Sequence, residues 1–356
     1  MQWVKNWPLV QQHYEEWWRQ KGMVFWLTAP REKPREELPA PTPPEDLYQR
    51  WCDPEYRFRA AEYALSRTYF GGDAFPYFNP SIGPGSLALF VGSEPRFSTE
   101  TVWYEPCIHD PDTHPPLRFN PALPMFKVHC DLIKRGVEGA GDRFLVGLPD
   151  IIEHFDILSA LRNPQTLLYD LYDRPDWVKR SCKALNEAYY EAFDALCDLV
   201  RDKDNGNVFG SFLVYGKGRT AKVQCDAAAL LSPQQFGEFV APYLREQCAW
   251  LDYSIFHLDG TDCIRHLDHL LEIEELNAVQ WTVQSRSDLP YMGDPHWFDL
   301  YRRILRAGKS VEILGVGPNQ VFPLLDALGS KGILMTVHVN SEEQARELEE
   351  KVEKYR

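Results

Sequence analysis

Four short apolar runs in the C-terminal third decide the fold: YSIFHLDG at 253–260, AVQWTVQ at 278–284, SVEILGV at 310–316 and GILMTVHV at 332–339. Each is strand-length and rich in β-branched or aromatic residues, and each is followed by a helical stretch, at 262–272, 295–307, 319–328 and 341–355. Regular alternation of this kind builds a parallel sheet with right-handed crossovers. Toward the N-terminus the same reading places strands at MVFWLTA (23–29), AFPYFNP (74–80), FLVGLPD (144–150) and KVQCDAA (222–228). VFGSFLVYG at 208–216 is left as an unplaced ninth. Eight placed units predict an α/β chain closed into a single (β/α)8 TIM-type barrel rather than an open sheet.

The first 50 residues predict decoration on that barrel. Residues 1–22 alternate tryptophans with charges at helical spacing, and PREKPREELPAPTPPE at 30–45 holds too many prolines to continue a helix or a strand. The expected organisation is therefore an N-terminal helix, first strand and proline-rich loop over 1–50, forming one domain with a barrel over 51–356. Ser232-Pro233 has the cap and first-turn chemistry of a helix start.

Composition narrows the function. The 356 residues are 44% apolar and 25% charged, as in an ordinary globular protein. A net charge of −14 repels a phosphate backbone, so nucleic acid is not an expected partner. No apolar run reaches the roughly 18 residues of a membrane span, and the first residues lack a secretory pattern, which predicts a cytoplasmic protein with no membrane partner. The eight cysteines are scattered with no C-x-x-C pair and read as reduced thiols. Aromatics at 13% hint at an aromatic-lined pocket beside ordinary core packing. No G-x-G-x-x-G follows a strand and no G-x-x-x-x-G-K-[ST] occurs, which removes the main signals of dinucleotide and nucleoside triphosphate chemistry.

In a barrel, the C-terminal ends of the strands carry the active site. That rule nominates Asn79, Asp150, Cys225, Asp226, His257, Asp259, Gln280, Trp281, Glu312 and His338, with His154 and Asp156 just beyond the FLVGLPD strand. His257 and Asp259 stand two apart, so both point to one face of their strand, and Gly260 permits a tight exit. This pair suits a metal, proton transfer, or a structural hydrogen bond; zinc accepts imidazole nitrogen and carboxylate oxygen, and His338 or Glu312 from another strand offers a third ligand. Cys225 reads as a buried thiol or a thiolate ligand, and His266 and His269 as helix-surface or capping residues. Glu312 lies mid-strand, where an ionised carboxylate needs a partner. Trp281 and Tyr77 are expected as flat walls of a pocket, and Asp226, Gln280, Glu312 and His154 as groups that orient a substrate.

The run CDAAALLSPQQFGEFVAPYLREQ at 225–247, with YSIFHLDGTDCIRHLDHLLEIEELNAVQW and the closing GILMTVHVNSEEQARELEEKVEK, resembles the uroporphyrinogen decarboxylase superfamily. The D-x-x-x-x-x-S-P-x-x-F-x-x-F-x-x-P-Y element from Asp226 to Tyr243 is the most specific part, and the resemblance extends over roughly residues 70 to 356. It implies an eight-stranded β/α barrel and a homodimer. Measured against true decarboxylases of that superfamily, Asn79 occupies the place of the catalytic aspartate and TAPREKP replaces the arginine-rich substrate loop, leaving only Arg31. Porphyrin decarboxylation is thereby disfavoured. The methyltransferase-like branch holds zinc with H-x-C and a distant cysteine; here the pair is His257-Leu258-Asp259 and the distant position falls near His338. The resemblance thus implies a His257, Asp259, His338 zinc site, harder than a thiolate site, and metal-assisted methyl transfer involving a small methylated or aromatic substrate. No D-x-H-x-x-G element is present, so a corrinoid, where used, is expected on a separate partner protein. The rivals are a metal-free decarboxylase or lyase using Asn79 and His257, and a non-catalytic binding barrel.

Overall fold

In the computed structural model, which describes residues 1–284 and 288–356, the chain is a mixed α/β fold around a parallel central sheet. The strands are β1 (Val24–Pro30), β2 (Thr68–Gly72), β3 (Tyr77–Phe78), β4 (Pro95–Phe97), β5 (Val102–Tyr104), β6 (Leu145–Leu148), β7 (Gly206–Phe209), β8 (Val214–Lys217), β9 (Thr220–Gln224), β10 (Tyr253–Asp259), β11 (Ala278–Thr282), β12 (Ser310–Val316) and β13 (Ile333–His338). They form a seven-stranded sheet ordered β2-β1-β13-β12-β11-β10-β9, a four-stranded sheet ordered β3-β6-β7-β8, and the separate hairpin β4-β5.

Within the larger sheet every pairing from β9 through β13 to β1 is parallel. Only β2, antiparallel on β1, runs the other way. This edge strand follows directly on a helix. The helix Pro54–Ser66 starts at the Asp53 cap with Pro54 in its first turn, and Thr68, Tyr69 and Phe70 favour extended backbone and terminate it. The expected ninth strand resolves into two: β7 runs parallel to β6, and β8 turns back on it after Leu213, whose φ is +54°.

One side chain bridges the two sheets. The Asn207 amide on β7 donates to Thr220 O (2.9 Å) and accepts from Thr220 N (3.2 Å) on β9, imitating a strand pairing. At the other edge of the larger sheet, Asp73 continues the β1-β2 pairing by one residue, its N donating to Phe25 O and its carboxylate accepting from Phe25 N, each at 2.8 Å.

The aromatic excess is spent mainly on packing. The N-terminal helix Trp7–Trp18 buries Tyr14, Trp17 and Trp18. Its indoles donate to backbone carbonyls, Trp17 to Gly332 (3.2 Å) and Trp18 to Tyr215 (2.9 Å). The proline-rich stretch after β1 has no helix or strand, and Arg143 pins it through Glu36. All eight cysteines are free. Among the described residues no helix is long and apolar enough to cross a membrane.

Candidate metal centre and substrate pocket

The site is assembled on three neighbouring strands, β9, β10 and β11. Register sets it up: His257 on β10 lies opposite Gln224 on β9 and Gln280 on β11, and Gln280 lies opposite Glu312 on β12. Residues in register across parallel strands share a face, so these four form one polar row, with Asp259 two residues further along β10. The chain leaves β10 through Gly260 at φ +79°, where a Cβ would also meet the Gln284 side chain. After β9 a short 3-10 turn, Asp226–Leu230, carries Asp226 toward the same point. Ligand atoms of Asp226, His257 and Asp259 all lie within 4.8 Å of one another.

Hydrogen bonds fix the proton on His257. The Gln280 Nε2 donates to Trp281 O (2.7 Å) and Thr282 Oγ1 (2.6 Å), so its Oε1 faces the imidazole, 2.5 Å from Nδ1. An amide oxygen only accepts, hence Nδ1 carries the hydrogen and Nε2 keeps its lone pair. Burial, with Lys222 nearby, lowers the His257 pKa and favours this neutral form. An acceptor on the far ring nitrogen that fixes the tautomer of a neutral imidazole is what metal-ligating histidines require.

Asp226 faces the mouth of the site, yet the protein atoms around it, then the Asp156 carboxylate, push its pKa up to about 7. Asp156 is itself fully engaged, accepting from the backbone N–H of Asp226 (2.8 Å) and Ala227 (3.0 Å) and from Gln224 Nε2 (2.9 Å). Two carboxylates and a neutral imidazole, none paired with a cation among the described residues, suit a hard or borderline dication. The donor set therefore fits zinc, which His257, Asp226 and Asp259 would hold.

Beside Asp226 opens a cavity of about 470 Å3 lined by Trp103 and Tyr104 of the β4-β5 hairpin, Ile152, Ile157, Leu230 and the polar Gln224. Among the described residues its charged lining groups are Asp156 and Asp226. Trp103 and Leu230 are large apolar side chains exposed at its rim.

The other expected residues are distributed differently. His338, proposed as the third ligand, sits at the end of β13 with Nδ1 3.1 Å from Thr28 Oγ1, and Asp226 takes its place in the cluster. Trp281 is not a pocket wall: it points to the face opposite Gln280, is fully buried, and packs on Trp297 at 4.8 Å. Tyr77 donates to Gly210 O (2.7 Å), closing on backbone rather than on the cavity. Gln280 is buried and serves His257, with no contact to the cavity. His154 is fully buried at φ +24°, its Nδ1 accepting from Phe155 N (2.7 Å), which removes it from substrate contact. Asn79 closes a local turn by accepting from Ser81 N (3.0 Å) and is not part of the cluster. Glu312 shares the row, but it is fully buried with neither oxygen hydrogen-bonded, and burial raises its pKa well above the carboxylate range. It lies in the core outside the cluster of Asp226, His257 and Asp259. Cys225 is a buried thiol whose pKa burial raises, and His266 Nε2 donates to Ala228 O (2.9 Å) while the ring stacks on Phe236.

Sequence reasoning missed Lys222, Gln224 and Glu153. Lys222 is buried at 2% exposure, 2.9 Å from Asp150. Glu153, fully buried, accepts from Gln224 N at 2.5 Å, and burial lifts its pKa to about 8. The signal was the alternation of Lys222 and Gln224 along one face of β9, continued by Asp226 just beyond its end.

No protein-family model matches the chain, and no curated protein matches it. Among solved structures it is similar to a methyltransferase from Methanosarcina mazei, with a TM-score of 0.63 and 10% sequence identity over 97% of this chain and 99% of that one. At this identity the likeness is one of fold.

Proposed function

We propose that this chain is a metal-dependent methyl-transferring enzyme of the uroporphyrinogen decarboxylase type, built on a closed β/α barrel. The observation that carries the proposal is the convergence of Asp226, His257 and Asp259, with the His257 tautomer fixed by Gln280. The fold likeness to a methyltransferase over nearly the full chain supports the same reading. The Asn207 bridge between β7 and β9 supports closure, because it supplies pairing at the seam between the two sheets.

Zinc, when bound, supplies Lewis acidity that turns a weakly acidic hydroxyl or thiol into a nucleophile near neutral pH. The protein's own residues do the rest. Gln280 holds the Nδ1 proton so that Nε2 stays a ligand, and Asp156 ties down the turn that carries Asp226. The apolar cavity under Trp103 and Tyr104 takes the substrate body and keeps water from the reacting centre. Among the described residues its charged lining groups are aspartates, which favours a small neutral or cationic methylated compound over a carboxylate. The methyl carrier is a corrinoid on a separate protein, as the resemblance implies.

Zinc-loaded protein incubated with methylcobalamin and a set of small alcohols, thiols and amines tests this. The expected result is loss of the methylcobalamin spectrum with at least one acceptor, abolished in His257→Ala. Absence of demethylation with every acceptor, in protein that holds zinc, overturns the methyl-transfer assignment.

A further inference from the structure

Lys222 is a buried cation directly beneath the candidate centre. Its Nζ lies 2.9 Å from Asp150 Oδ2, touches Gln224 Oε1, and is flanked by the rings of Phe209 and Phe212 at 5.9 and 5.6 Å. Phe212 also packs edge-on against His257, with centroids 5.0 Å apart. Lys222 and Gln224 are two residues apart on one strand and share a face.

A glutamine amide has two orientations of nearly equal shape, and here the charges on either side decide between them. Oε1 faces the ammonium, whereas Nε2 faces two carboxylates, Asp156 Oδ2 and Asp226 Oδ2, each at 2.9 Å. Turning the amide over would set its NH2 against an ammonium that only donates, and its oxygen against two carboxylates that accept. In a buried setting both conflicts are costly. The Glu153 carboxylate holds the Gln224 main chain at the same time, so the amide is the movable part.

We propose that Lys222 is a positioning residue that acts through Gln224 to hold the Asp226 carboxylate in the ligand set. Its consequence for zinc rests on the metal-centre reading, but the orienting chain Asp150, Lys222, Gln224, Asp226 does not. The arrangement mirrors the other flank, where Thr282 and Trp281 orient Gln280 and Gln280 orients His257. One glutamine on each neighbouring strand thus aims one ligand.

The test uses the full chain. Lys222→Met alone would strand the Asp150 carboxylate, so the pair is removed together as Lys222→Met/Asp150→Asn, with Gln224→Leu as an independent variant that leaves the ion pair intact. Zn2+ affinity is measured by competition with a chromophoric chelator, and the Co2+ adduct is followed by its visible spectrum. We expect a loss of about 10- to 100-fold in zinc affinity for each, the usual effect of removing an outer partner of a ligand. The Co2+ spectrum should change, and combining the variants should bring no further loss because they cut one chain. Crystal structures of the metal-free variants should show the Asp226 carboxylate displaced. Affinity within about twofold of wild type, fully additive losses, or an unmoved Asp226 overturns the inference. If wild type takes up no zinc, the metal reading fails by itself, and the position of Asp226 in Gln224→Leu still decides the orienting role.

Discussion

Gln280 Oε1 stands 2.5 Å from His257 Nδ1, and both of its own amide hydrogens are committed elsewhere, to Trp281 O and Thr282 Oγ1. The glutamine therefore has no freedom to present anything but its oxygen, and the imidazole has one tautomer. Replacing it with leucine, in Gln280→Leu, leaves Nδ1 without its acceptor. We predict zinc affinity about 10- to 100-fold weaker than wild type, measured by chelator competition. Gln280→Glu keeps an acceptor at the same place and should retain most of the affinity.

The centre should respond to pH with a definite sign. Burial and Asp156 raise Asp226 to about 7, and a dication must displace that proton. Zinc affinity should thus climb as pH rises from 5 to about 7 and flatten above it. Stability of the metal-free protein runs the opposite way. Groups whose folded pKa is raised, Asp226 to about 7 and Glu153 to about 8, contribute stability that is complete below the ordinary carboxylate range and is lost as pH rises through those values. Urea melts without metal should show a lower midpoint at pH 8.5 than at pH 5, and Asp226→Asn should narrow the difference.

The framework was legible because it is written in local pattern. SVEILGV became β12 over the expected residues, and the H-x-D pair of β10 does present both side chains to one face. Position along a strand is readable in this way, but position around the sheet is not. His338 and Asp226 both follow strand ends, yet β13 is separated from β10 by β12 and β11, whereas β9 is its direct neighbour. The third group of the cluster is for that reason Asp226. Trp281 was misjudged on period: its neighbour Gln280 shares the face of His257, so Trp281 must point to the helices. Lys222 went unnoticed because a lysine in a strand ordinarily reaches water, and only the buried Asp150 across from it explains why this one does not.

Glu312 offers a check on the core. Its carboxyl is fully buried with neither oxygen hydrogen-bonded. A similar apolar shape loses no partner, so Glu312→Met should be neutral to stabilising by up to about 2 kcal/mol in denaturant melts. Because the folded-state pKa of Glu312 is raised, wild type loses stability as pH climbs above the ordinary glutamate value. The advantage of the variant should therefore be larger at pH 8 than at pH 4. A destabilisation above about 1 kcal/mol would reveal a buried partner for this acid.

The account stands on Asp226, His257 and Asp259 holding one metal ion. Elemental analysis of protein purified without chelator, beside His257→Ala, measures that directly. Near-stoichiometric zinc in wild type, lost in the variant while its fold is retained, is the predicted result. Well-folded wild type that stays free of metal even after zinc is supplied would contradict it.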